Sequence, residues 1–109
     1  MSEVPEIDVR ALAEARSAGA ALIDVREPHE YAEAHAPGAV LIPLGEVAER
    51  IDEVPTDRPV YVICRTGRRS ATAVEHYRQR GIDAVNVAGG TLAWIEAGQP
   101  VDTGSGADG

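Results

Sequence analysis

Four short apolar runs, each cut off by a polar or turn-forming residue, constrain the fold of this chain more than any other feature. Ala20-Ala21-Leu22-Ile23 stops at Asp24, and Ala39-Val40-Leu41-Ile42 stops at Pro43. Val60-Tyr61-Val62-Ile63 stops at Cys64, and Ala84-Val85-Asn86-Val87 stops before Gly89-Gly90. Runs that are apolar on both faces read as strands buried on both sides, as in a parallel sheet. Helical patterns fill the intervals. Asp8 is placed to cap a helix carrying Val9, Leu12 and Ala13 on one face, and Pro28 can open a short helix through Tyr31 and Ala34. The spacing of Val47, Ile51 and Val54 predicts a helix ended by Pro55. Ala71, Val74 and Tyr77 predict another closed by Gly81, and a last one runs from Thr91 to Ala97 before Gly98. Strands alternating with helices predict an α/β domain on a mainly parallel sheet.

A chain of 109 residues suits one domain. That domain is expected over residues 1–101, with a disordered tail over 102–109, where Gly, Ser and Asp leave little to bury. With no Phe, one Trp and three Tyr, the core must be built from Val, Ile, Leu and Ala. All ten basic residues are arginine, against eighteen acidic ones, for a net charge of -8. That balance argues against nucleic acid, which needs a broad basic face, and against an anionic membrane surface. The single Cys excludes an intramolecular disulfide, and three scattered His with one Cys complete no zinc site. No metal and no cofactor is expected. The first seven residues lack a basic-then-apolar signal pattern, and no apolar run approaches a membrane span. A cytoplasmic location is therefore the expectation.

The chemistry concentrates at the end of the third run. Ligands of open parallel sheets bind beyond the carboxyl ends of the strands. Cys64 sits there and opens Cys64-Arg65-Thr66-Gly67-Arg68-Arg69, with a helix expected from about Ser70. Peptide N–H groups of a tight loop converge into an anion-binding nest, and the following helix adds its positive dipole end. Gly67 permits a backbone angle that a side chain would forbid. Three of the ten positive charges of an acidic chain stand in these six residues. All of this favours a thiolate at Cys64 with a depressed pKa.

At these residues the chain resembles the rhodanese family, from about Ala20 to Gly104. Asp24-Val25-Arg26-Glu27-Pro28, Glu30-Tyr31, His35-Ala36-Pro37-Gly38-Ala39 and Ile42-Pro43-Leu44 are similar to the family's N-terminal signature. Cys64 to Arg69 resembles its active-site loop, and Gly89-Gly90 with Ala93-Trp94 its C-terminal signature. Glu33-Ala34 replaces the usual small-then-Gly pair, and Ala36 stands where a bulkier residue is common. The resemblance implies a central five-stranded, mainly parallel sheet flanked by helices on both faces. It implies that Cys64 takes sulfane sulfur from thiosulfate or a similar donor as a persulfide. The persulfide then passes sulfur to cyanide or another thiophilic acceptor, the two-step logic of covalent catalysis. Loop N–H groups of Arg65, Thr66, Gly67, Arg68 and Arg69 would hold the persulfide anion. Arg65 and Arg69 are expected at the pocket mouth.

Asp24 and Arg26 end the first run, on the rim shared with the loop; they read as a structural ion pair or as support for the site. His35 and Trp94 read as structural, and His76 as a surface residue. Two other functions compete. Tyrosine phosphatases also set a Cys in a ring of N–H groups, but need Arg six positions later, where Ser70 stands here. A recognition module would have no use for Cys64 and its basic loop. A third reading is a sulfur carrier that exchanges sulfur with a partner protein across its acidic surface.

Overall fold

The computed structural model describes residues 4–104. Its elements run β1 (Glu6–Ile7), α1 (Val9–Ser17), β2 (Ala21–Asp24), α2 (Pro28–Glu33), β3 (Val40–Leu41), β4 (Val60–Ile63), α3 (Arg68–Gln79), β5 (Ala84–Val87) and α4 (Gly90–Glu96). Five strands form one sheet in the order β1-β5-β4-β2-β3, and every pairing is parallel. The third run is the central strand, and Val60, Val62 and Ile63 are fully buried. No helix among the described residues is long and apolar enough to cross a membrane.

Strand period divides the core. Alternate side chains point to opposite faces of a sheet. Ile23, Val60, Val62 and Ala84 pack with Ala73, Val74 and Tyr77 of α3 on one face. Leu22, Ile63 and Val87 pack with Leu12 of α1, Tyr31 of α2 and Trp94 of α4 on the other. Helices therefore cover both faces, the arrangement the sequence predicts.

Two elements differ from expectation. β1 has no apolar run to announce it; the two residues Glu6–Ile7 add to the sheet through register with Asn86 and Val87. The segment carrying Val47, Ile51 and Val54 forms 3-10 turns at Leu44–Glu46 and Ile51–Glu53, not an α-helix. Val54 precedes Pro55, whose ring disfavours the helical region there, and Val54 is extended at φ -97° and ψ 128°. Asp102 and Gly104, within the expected tail, make backbone contacts around α2. Asp102 pairs with His35 through two backbone hydrogen bonds of 2.8 and 2.9 Å, and the Gly104 N–H donates to the Ala32 carbonyl at 2.8 Å. Both residues thereby satisfy backbone groups within and just after α2; residues 105–109 lie outside the described ones.

The start of α4 locks onto the end of β4. The Thr91 N–H and hydroxyl both donate to the Cys64 carbonyl, at 2.8 and 3.0 Å, and the Leu92 N–H donates to the Arg65 carbonyl at 3.1 Å. Contact this close needs Gly90: a Cβ there would lie 2.5 Å from the Arg65 carbonyl group and from the Cys64 oxygen, and its φ is +60°. Those neighbours are backbone and have no rotamer to yield. Gly90→Ala should therefore destabilise the fold by at least about 2 kcal/mol, combining left-handed strain with overpacking. Urea unfolding of the variant against the parent chain measures it.

Candidate active site

Cys64 follows β4 directly, at the carboxyl edge of the central strand. Gly67 takes φ +109°, which turns the chain at once into α3, so the helix begins at Arg68, two residues before the expected Ser70. The turn brings donors back onto the sulfur. The Gly67 N–H donates to Cys64 Sγ at 3.1 Å, and Ser70 Oγ lies 3.2 Å from it. Cys64 is 1% exposed. Burial raises the thiol's pKa, because it penalises the charged form, but the Ser70 hydroxyl and the N–H groups of Ser70, Gly67 and Thr66 oppose it. The balance leaves Cys64 below the ordinary thiol value.

The arginines divide. Arg65 and Arg68 are exposed and enter no ion pair among the described residues. Arg69 does not stand free at the mouth: its guanidinium holds Glu30 of α2 in a two-point pair at 2.7 and 2.9 Å. The Glu30 carboxyl is lowered to about 2 by that hydrogen bond, despite an opposing contribution from burial. Beside the loop a cleft of about 380 Å³ opens between Arg65, Leu92 and Ile95 on one side and His29, Glu30 and Glu33 on the other.

Asp24 and Arg26 are brought to each other, not to the sulfur. Both are buried, and Arg26 donates to both Asp24 oxygens at 2.8 to 3.1 Å and to the Ala34 carbonyl at 2.8 Å. The pair ties the end of β2 to the end of α2. His35 is buried, stacks on Tyr31 at 3.6 Å, and donates from Nδ1 to the Tyr31 carbonyl at 2.8 Å. Trp94 lies in the core and donates from Nε1 to the Pro100 carbonyl at 2.7 Å. His76, expected at the surface, is half-buried, with Nε2 enclosed and unpartnered among the described residues.

Ser70, Asn86 and Glu6 reach the site although the sequence reading passed them over. Ser70 Oγ is 2.5 Å from Asn86 Oδ1, and Asn86 Nδ2 donates to Glu6 Oε2 at 2.8 Å and to the Gly67 carbonyl at 3.1 Å. One signal was available: Asn86 interrupts an apolar strand, and a buried amide must find partners.

With the geometry in place, comparison with known proteins is decisive. The signature of the rhodanese-like domain matches residues 8–97. The chain belongs to the rhodanese-like family. A sulfurtransferase of Allochromatium vinosum is 37% identical over 101 residues, which cover 90% of this chain and 94% of that protein. A Bacillus subtilis protein provisionally named a sulfur carrier is 41% identical over 96 residues, 85% of this chain, but the match spans only 52% of its length. The crystal structure of a rhodanese-related protein from Thermoplasma volcanium superposes with a TM-score of 0.85 at 38% identity, covering 90% of this chain and 97% of that one.

Two outcomes follow from this rhodanese-like site. Asp24→Ala leaves Arg26 buried without its partner, which should cost roughly 3–5 kcal/mol in urea unfolding. Cys64 should alkylate with a titration midpoint below the ~8.5 of a free thiol. Because the folded value is the lower one, the thiolate's contribution to stability is full above the unfolded value and is lost as pH falls through the folded one. Rates of iodoacetamide modification against pH give the midpoint.

Proposed function

We propose that this chain is a sulfurtransferase that carries sulfane sulfur as a persulfide on Cys64. It draws the sulfur from thiosulfate or a similar donor and delivers it to cyanide or another thiophilic acceptor. The observation that carries this reading is the Cys64 sulfur at a strand end, met by the Gly67 N–H at 3.1 Å and the Ser70 hydroxyl at 3.2 Å. A thiolate so placed needs no separate base. Its Sγ lone pair attacks the outer sulfur of thiosulfate, forming the new S–S bond. The old S–S bond breaks and its electron pair leaves with sulfite. The persulfide keeps one negative charge, now on the terminal sulfur. Cyanide then attacks that sulfur, thiocyanate departs, and the S–S pair returns to Cys64 as thiolate. Charge and electrons balance at both steps without an outside oxidant or reductant.

The loop supports the same reading. Its N–H groups are fixed dipoles that need no reorganisation when charge moves outward by one sulfur. Arg65 and Arg68 leave positive charge exposed at the rim, which draws a dianionic donor. The relatives named sulfurtransferase and sulfur carrier agree with transfer of sulfur, and the latter with exchange between proteins. A phosphatase reading finds no support in these residues, because Ser70 occupies the position where a phosphate-gripping Arg is needed.

Incubation of the chain with thiosulfate should raise its intact mass by one sulfur atom, and cyanide should remove it as thiocyanate. Cys64→Ser should show neither change. Thiocyanate production at the parental rate by Cys64→Ser would overturn the proposal.

A further inference from the structure

Ser70 carries one hydroxyl hydrogen and has two claimants for it. Cys64 Sγ lies 3.2 Å from Ser70 Oγ, and Asn86 Oδ1 lies 2.5 Å from it. Which claimant holds the hydrogen depends on how the Asn86 amide faces. Asn86 is fully buried, and on β5 it follows Ala84 by two, so it points to the same face of the sheet, toward α3. Its other two contacts are the Glu6 carboxylate at 2.8 Å and the Gly67 carbonyl at 3.1 Å. A carboxylate and a carbonyl only accept, so both must receive N–H from Asn86. Both amide hydrogens are then used, and the amide oxygen must face Ser70. That oxygen competes with Cys64 Sγ for the hydroxyl hydrogen across 2.5 Å.

We propose that Asn86, held by Glu6 and the Gly67 carbonyl, is a positioning residue that competes with the Cys64 thiolate for the Ser70 hydrogen and takes it fully when sulfur is loaded. The proposal rests on the persulfide reading of Cys64 and extends it to residues outside the loop. For Ser70 to donate to the thiolate, it must abandon Asn86 and leave two oxygen lone pairs facing each other at 2.5 Å. Donation to sulfur therefore brings a reduced net gain. The thiolate's hold on the hydroxyl is weakened, and it stays more nucleophilic than a thiolate that held the hydroxyl outright. Thiolate nucleophilicity falls as pKa falls. Once the Sγ–S bond forms, negative charge moves to the terminal sulfur. Sγ no longer needs the hydroxyl, and the Ser70–Asn86 bond is whole again. The network thus favours the loaded state over the free thiolate. No proton leaves the site in this exchange; the hydroxyl only rotates.

Other charges near Cys64 belong in the account. Arg69 senses the Cys64 charge and is paired with Glu30, Asp24 and Arg26 neutralise each other behind β2, and Arg65 and Arg68 are exposed on the loop itself. None of them touches the Ser70 hydroxyl. Changes at Asn86 or Glu6 therefore act on it through hydrogen-bond direction.

A double-mutant cycle read by the pH profile of iodoacetamide modification tests this. Asn86→Ala releases the Ser70 hydrogen, and the Cys64 midpoint should fall by about one pKa unit, the scale of one hydrogen bond to a charged group. Ser70→Ala should raise the midpoint less when Asn86 is present than in the Asn86→Ala background, where the rise should be about one unit. A purely structural role for Asn86 predicts no such coupling. Glu6→Gln, at an exposed position, removes one of the two acceptors that fix the amide's direction and should lower the midpoint in the same direction as Asn86→Ala, by less; it serves as well if Asn86→Ala does not fold. Equal effects of Ser70→Ala in both backgrounds, or a midpoint that rises in Asn86→Ala or stays put in Glu6→Gln, would overturn the proposal. Mass gain from thiosulfate in the parent chain reports separately on the persulfide reading. A chain that takes up no sulfur yet shows the coupling would refute that reading and leave the hydrogen-bond assignment standing.

Discussion

The carbonyl oxygen of Cys64 accepts two hydrogens from Thr91, and the rest of the site depends on that grip. It fixes the last peptide of the central strand against the first turn of α4. With the carbonyls of Cys64 and Arg65 drawn toward α4, the N–H groups that follow are left to face the sulfur. Gly90 makes the approach possible, since no side chain fits between its Cα and the Arg65 carbonyl. Gly67 then reverses the chain with φ +109°, and α3 starts after only four intervening residues. Two glycines thus do separate jobs: one admits a neighbouring backbone, the other turns its own.

The second theme is the handling of charge. In an acidic chain, two arginines beside the loop are matched to single carboxylates, Arg26 to Asp24 and Arg69 to Glu30. These pairs join α2 to the sheet and to α3, so they set the wall of the cleft beside the loop. Arg65 and Arg68 remain as exposed positive charge at its mouth. The sulfur itself is met by a backbone N–H and a hydroxyl. Dipoles fixed by the fold suit the proposed persulfide, whose charge lies one atom further out than the thiolate's, because they need no reorganisation.

A polar thread runs through an otherwise apolar layer: Glu6, Asn86, Ser70 and Cys64 come from β1, β5, α3 and the end of β4. Burying an amide in a sheet costs free energy unless each of its groups is bonded, and here each is. The thread explains why so short an edge strand matters. β1 pairs only two residues, yet its register sets Glu6 beside Asn86.

Much of this was legible in residue order. The apolar runs announced β2, β4 and β5 because a strand buried on both faces needs apolar residues in succession. The glycine and arginines after Cys64 announced a charged turn because few other arrangements tolerate them. The sequence reading of residues 47–54 failed where spacing suggested a helix, because the conformational limit set by Pro55 outweighed periodicity. Long-range partners were beyond it altogether. Arg69 lies 39 positions from Glu30, and Asn86 lies 80 from Glu6. Nothing local marks such pairs; only parallel strand order and register place them together. By itself, then, the order of residues determined the fold class, the strand that ends at the sulfur and the nature of its loop. Tertiary structure alone decided which loop arginine is paired and which groups compete for the Ser70 hydrogen, since both depend on groups that meet only when the sheet closes.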